Sequence, residues 1–165
     1  MTDGAIRQGD TLHGMTLPAG LGHGVTLHLV PLDAPGLPMP LVGRLVPAGF
    51  PSPADDYLDG EIDLGGYLIQ RPAATFLMRV TGESMRGAGI LDGDLVVVDR
   101  SVEPQSGHIV VAVLDGGLTI KRLRRVRGGH AVLVAENPDF PEFVIGEEAP
   151  AELWGVVVGV VRKLR

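Results

Sequence analysis

The chain has 165 residues, 45% of them apolar, a formal charge of −6 and no cysteine. That length and apolar content give one domain with a single core plus a tail, and exclude a disordered chain. The missing thiols exclude disulfides and thiolate metal sites, and the acidic balance fits poorly with a dedicated duplex-DNA binder.

Aromatic residues make up only 4% of the chain, so valine, leucine and isoleucine must fill the core. Val-rich runs separated by Gly, Pro and Asp predict a mostly β fold. Residues 1–40 are punctuated by glycines (among them Gly4, Gly9, Gly14, Gly20, Gly22 and Gly24) and by Pro18, Pro31, Pro35, Pro38 and Pro40. Such density blocks any long helix. The region reads as an extended arm. Alternation over residues 25–30 leaves open an extra strand packed on the domain. The first ten residues carry no apolar core of a signal peptide, and the longest apolar run, near residues 154–161, is far short of the roughly 20 needed to span a bilayer. A cytoplasmic protein with no membrane contact is expected.

Pro47-Ala48-Gly49 reads locally as a plain turn. A turn of helix is expected around residues 55–58, and a connecting segment or strand over residues 62–69. Asp55, Asp56, Asp59, Glu61 and Asp63 form an acidic patch, read as a solvated linker face in preference to a carboxylate pair for acid–base work. Residues 75–80 alternate loosely and form a strand that delivers Ser84. Glu83 is expected as an exposed turn residue and Met85 as a packing residue. Asp92-Gly93-Asp94 is a tight-turn signal, and Leu95-Val96-Val97-Val98 a buried strand.

Residues 109–114 form another apolar strand. Gly116-Gly117 reads as a turn leading into a strand that carries Thr119, Lys121 and Leu123 on one face. Arg122 and Arg124 then point the other way. The run with Arg125 and Arg127 reads as a solvated basic edge that guards a strand from aggregation, with a nucleic-acid or partner patch as the functional option. The five histidines show no metal-ligand spacing, so no metal and no cofactor are expected. Residues 140–145 and 153–161 close the domain as strands.

Two residues carry chemistry. Ser84 sits on a sharp Gly-rich turn between ordered elements, which aims a hydroxyl rigidly, although Gly-x-Ser alone is common. Lys121 lies 121 − 84 = 37 residues downstream. No histidine is near either residue in sequence, so a Ser-His-Asp arrangement has little support. A Ser-Lys dyad is the remaining way to activate the hydroxyl. Such a lysine must give up its proton against an ordinary pKa of about 10.4, and burial in an apolar cleft drives it that way.

Residues 76–100 (F-L-M-R-V-T-G-E-S-M-R-G-A-G-I-L-D-G-D-L-V-V-V-D-R), Thr119-Ile120-Lys121-Arg122-Leu123 and residues 154–165 together resemble the self-cleaving C-terminal domains of the LexA/UmuD family. Residues 48–57 look like the start of a processed UmuD-type chain. The likeness runs from about Leu41 onward, and residues 1–40 match nothing in the family. The resemblance implies a peptidase domain of bent, packed antiparallel sheets with an extended N-terminal arm. It implies Ser84 as nucleophile and Lys121 as general base; the backbone N–H groups of Ser84 and Met85, at the start of a short helical turn, are expected to form an oxyanion hole. The scissile bond in such proteins follows a small residue and precedes a glycine, which points to Ala48-Gly49. Small side chains there let a backbone approach closely. Pro47 departs from the pattern by removing an N–H.

The expected division is therefore an arm, 1–48, containing the cleavage region, and a peptidase and dimerisation domain, 49–165. The arm is too short and too broken for a helix-turn-helix, so operator binding is not expected and the UmuD-like branch fits better. That branch implies an SOS-response protein whose processed homodimer modulates a translesion DNA polymerase subunit. Its cleavage trigger is a recombinase filament on single-stranded DNA. The alternatives are a dimeric polymerase-binding module that never cleaves itself, a repressor-like regulator, and a signal-peptidase relative, against which the missing anchors argue.

Overall fold

β-branched runs set the architecture. In the computed structural model the described residues are 11–12, 15–16, 27–28, 36, 38–42, 58–125, 130–146 and 150–164. They fall into two compact units, Met1–Leu32 with Arg71–Arg165, and Asp33–Gln70.

The larger unit holds a two-residue pair, β1 (Thr11–Leu12) with β2 (Met15–Thr16), and an eight-stranded antiparallel sheet. The sheet strands are β3 (Leu27–His28), β6 (Thr75–Arg79), β7 (Leu95–Asp99), β8 (Ile109–Leu114), β9 (Gly117–Arg125), β10 (Ala131–Val134), β11 (Phe143–Ile145) and β12 (Glu152–Val161). Their order is β11-β10-β9-β8-β12-β7-β6-β3. The mostly β expectation is borne out. The alternating stretch at residues 25–30 yields only β3, which pairs at the sheet edge with Leu77 and Met78.

Alternation along the strands sends side chains to two cores. Val111 joins Phe76, Met78, Met85, Ile90, Val96, Val98 and Trp154, whereas its neighbours Val110 and Ala112 join Leu123, Leu133 and Val156. Trp154 and Val156 have the same parity yet serve different cores. A bulge in β12 between Leu153 and Gly155 shifts the register by one and explains this. A second irregularity follows between Val157 and Gly159. β12 thereby pairs with β8 through its first half and with β7 through its second. The Trp154 ring lies 5.2 Å from Phe76, tilted by 59°, with the Arg100 guanidinium 4.8 Å from its centroid.

The turn between β8 and β9 centres on Asp115 and Gly116, one residue earlier than Gly116-Gly117. Leu114 pairs with Gly117, and both central residues have positive φ, 49° and 77°. This is the two-residue hairpin geometry that Asp-Gly favours.

The smaller unit contains β4 (Pro38–Val42), paired antiparallel with β5 (Leu58–Asp63), and a short helix α1 (Leu64–Leu68). The helix comes later than expected. Leu58 belongs to a strand, and residues 55–57 lie outside the described residues. Asp63 supplies the reason: its carboxylate accepts the Gly65 N–H at 3.0 Å and caps the helix, so this acidic residue does more than face solvent.

Candidate active site

Ser84 stands on the connection between β6 and β7. That connection is closed at its base: Val80 N–H donates to Asp94 O at 2.8 Å and Gly93 N–H to Val80 O at 2.9 Å. Gly82, at φ 85°, donates its N–H to the Asp92 carboxylate at 2.7 Å. Met85 drops its side chain into the core, 2% exposed, while a 3-10 turn over Arg86–Ala88 leads away. The serine is thus half-exposed beside a residue that cannot move without opening the core. Glu83 is exposed and Met85 packs, as expected from sequence.

Lys121 comes from β9, which is paired on both sides, opposite Val110 of β8. It is 4% exposed. Its Nζ lies 3.3 Å from Ser84 Oγ, 3.0 Å from Thr119 Oγ1 and 3.1 Å from the Ile120 carbonyl oxygen. Thr119 and Lys121 therefore share a face, as the alternation predicts. No carboxylate reaches this amine among the described ion pairs. Burial lowers its pKa from the ordinary lysine value, because a charge taken out of water is disfavoured.

The three contacts fit both protonation states, with different consequences. An ammonium donates to all three oxygens. A neutral amine keeps two N–H groups, matched by Thr119 Oγ1 and Ile120 O, and its lone pair is left facing Ser84. In that state the Ser84 hydroxyl donates to Nζ, which is the geometry of a general base beside its nucleophile.

The pair opens on a cleft of about 370 Å³ lined by Ser84, Leu118, Thr119, Lys121, Phe140 and Phe143. A smaller hollow of about 120 Å³ also touches Ser84, with Met78, Val111, Leu118 and Ile120 in its wall. The larger is walled mainly by apolar groups, Leu118, Phe140 and Phe143 among them, which suits the side chains of an extended peptide. Among the described residues the backbone N–H groups of Ser84 and Met85 meet no acceptor. Ala48 and Gly49 fall in the segment between β4 and β5 and lie outside the described residues.

Two residues that sequence reasoning passed over hold the serine loop from either side. Asn137, 3% exposed, donates its Nδ2 to the Glu83 carbonyl oxygen at 3.0 Å. Arg162, beyond the end of β12, binds Asp94 and the Gly89 carbonyl oxygen. Asn137-Pro138 is legible in sequence as a turn, but nothing local gives its partner.

The basic run divides. Arg122 is half-buried, with Nε 2.5 Å from Glu136 Oε1 and Nη1 2.6 Å from the Gly107 carbonyl oxygen. It is a structural ion pair, and β9 is an interior strand, so the reading of a protected edge does not apply to it. Arg124 and Arg125 are exposed, and Arg127 lies outside the described residues. Among the described residues no three His, Cys, Asp or Glu side chains cluster to hold a metal, and no helix is long and apolar enough to cross a membrane.

A mostly β domain with a cleft built around a serine and a buried lysine defines a peptidase-type architecture. The family model for peptidase S24-like proteins matches residues 40–158, and the chain belongs to that family. It is 45% identical to Protein ImpA of Escherichia coli over 130 residues, 76% of this chain and 85% of the relative. It is 44% identical to Protein SamA of Salmonella typhimurium over 126 residues, 76% of this chain and 86% of the relative. The LexA repressor of Cupriavidus necator is 46% identical over 127 residues, which cover 76% of this chain but only 57% of that protein.

Proposed function

We propose that the protein is a self-cleaving serine endopeptidase of the DNA-damage (SOS) response, with Ser84 as nucleophile, Lys121 as general base and Ala48-Gly49 as the bond cut. The observation that carries this reading is the buried Lys121 amine 3.3 Å from Ser84 Oγ, with its other two hydrogens already matched.

The chemistry follows from the protons. Neutral Lys121 accepts the Ser84 hydroxyl proton as Oγ attacks the Ala48 carbonyl carbon. The oxyanion that forms is stabilised by the N–H groups of Ser84 and Met85, which meet no acceptor among the described residues. The lysine ammonium then returns the proton to the Gly49 nitrogen as the peptide bond breaks. Water hydrolyses the resulting Ala48–Ser84 ester, with Lys121 again taking the proton. The products are an arm, 1–48, and a peptidase and dimerisation domain, 49–165.

The likeness to UmuD-type proteins supports the rest. The processed chain acts in the cytoplasm as a homodimer and modulates a translesion DNA polymerase subunit. A recombinase filament on single-stranded DNA triggers cleavage by favouring the docked arm. The exposed valines of β12, Val158, Val160 and Val161, at 40–46% exposure, suit a dimer surface.

The test is intact mass after incubating the purified chain alone at about pH 10, where even an ordinary lysine is partly neutral and one lowered by burial is more so. The expected result is fragments 1–48 and 49–165, absent from Ser84→Ala and Lys121→Ala. A Lys121→Ala chain cleaving at the wild-type rate removes lysine from the mechanism.

A further inference from the structure

The second buried polar residue near Ser84 has no part in the dyad. Asn137 is 3% exposed, and both the oxygen and the nitrogen of its amide are engaged. Its Oδ1 accepts the Asp139 N–H at 3.1 Å, and its Nδ2 donates to the Glu83 carbonyl oxygen at 3.0 Å. The assignment of oxygen and nitrogen is forced, since a backbone N–H needs an acceptor and a carbonyl needs a donor.

The peptide that Asn137 grips is the one between Glu83 and Ser84. No cis peptide bond occurs among the described residues. A planar trans peptide points its C=O and its N–H in opposite directions. Fixing the Glu83 carbonyl therefore fixes the direction of the Ser84 N–H on the far side of the same plane. That N–H has no acceptor among the described residues.

The turn that carries Asn137 is itself held to both catalytic elements. Glu136 O accepts the Gly87 N–H at 2.8 Å, just past the serine. A Cβ on Gly87 would stand 2.5 Å from that oxygen, so the approach requires glycine. The Glu136 side chain pairs with Arg122, the residue after Lys121 on β9. One turn thus ties the serine loop to the lysine strand.

We propose that Asn137 is a positioning residue that aims the Ser84 N–H at the oxyanion of the cleavage reaction. This rests on the self-cleavage reading above. It assigns Asn137 an effect on the transition state and none on the basicity of Lys121.

The experiment is a pH–rate profile of self-cleavage in the full chain, for wild type, Asn137→Ala, Asn137→Asp and Asp139→Ala, with thermal unfolding of each. Asn137→Asp keeps an acceptor for the Asp139 N–H and puts an anionic oxygen in place of the donor, so it tests the idea even where alanine unfolds the turn. Loss of a well-aimed oxyanion donor lowers the maximal rate by about 100-fold. That fall is expected in both Asn137 variants, with the Asn137→Ala midpoint unchanged. Asp139→Ala, which breaks only an exposed pair with Arg86, is expected to match wild type. An Asn137→Ala plateau within about twofold of wild type overturns the proposal. So does a loss that appears only as a shifted midpoint, or an equal loss in Asp139→Ala. A wild-type chain that never cleaves overturns the proposed function first, and this inference with it.

Discussion

Arg162 grips Asp94 with two parallel contacts, Nε to Oδ1 and Nη2 to Oδ2, each 2.6 Å long. The same Nη2 donates to the Gly89 carbonyl oxygen at 2.7 Å. Asp94 is 2% exposed and also accepts the Leu91 N–H at 2.8 Å. One arginine from the last described segment therefore closes the loop that begins at Val80 and carries Ser84. The arrangement gives that loop a stability that depends on the Asp94 charge.

The hydrogen bonds from Arg162, aided by the Leu91 N–H and the nearby positive charge, hold the Asp94 carboxyl below the ordinary carboxylate range, outweighing the cost of burial. A carboxyl depressed in the folded state contributes stability that is present above its ordinary pKa of about 3.9. That contribution is lost as pH falls through the folded value. Arg162→Gln is expected to lower the melting temperature at pH 7, and the gap to wild type is expected to narrow below pH 4. Thermal unfolding at a series of pH values measures both. A gap that stays constant into acid shows that Arg162 acts through something other than the Asp94 charge.

Thr119 tests the environment of the lysine. Its hydroxyl oxygen accepts from Nζ at 3.0 Å and stabilises the ammonium more than the neutral amine. Thr119→Val keeps the β-branched shape and removes that acceptor. The midpoint of the self-cleavage pH–rate profile is expected to move to lower pH. A midpoint that moves upward contradicts the hydrogen-bond scheme around Lys121.

Gly155 sits where β12 bulges across the core. A Cβ there would meet Val98 Cγ1 at 2.7 Å, and Val98 is wholly buried. Gly155→Ala is expected to destabilise the fold by about 1–3 kcal/mol, the usual cost of overpacking a filled core. Urea unfolding measures it. A cost under about 0.5 kcal/mol would mean that the bulge relaxes freely.

The strands were the legible part of the fold, and for a physical reason. Leu95-Val96-Val97-Val98 and residues 109–114 are β-branched runs bounded by turn residues, and they became β7 and β8. The helix was misplaced because α1 contains Gly65 and Gly66, poor helix formers held by the Asp63 cap and not by propensity. In the site, the alternation of Thr119 with Lys121 and the turn around Ser84 could be read locally, and their meeting needed the family resemblance. What Asn137 and Arg162 hold could not be read locally. Their partners, Glu83 and Asp94, lie 54 and 68 residues away, and only the folded sheet brings them together. Arg122 reads as a solvated charge in sequence because its partner Glu136 is on another strand connection.

Burial makes the Lys121 amine give up its proton more readily than a free lysine does, and the whole mechanism depends on that. The chain has only two lysines, Lys121 and Lys163, so a nuclear magnetic resonance titration of the lysine side chains is simple to assign. Ser84→Ala keeps the chain whole during the measurement, and Lys121→Arg identifies the signal by its loss. The Lys121 amine is expected to titrate below the ordinary value of about 10.4. An amine that titrates at or above that value is an ammonium at working pH, and it cannot serve as the base for Ser84.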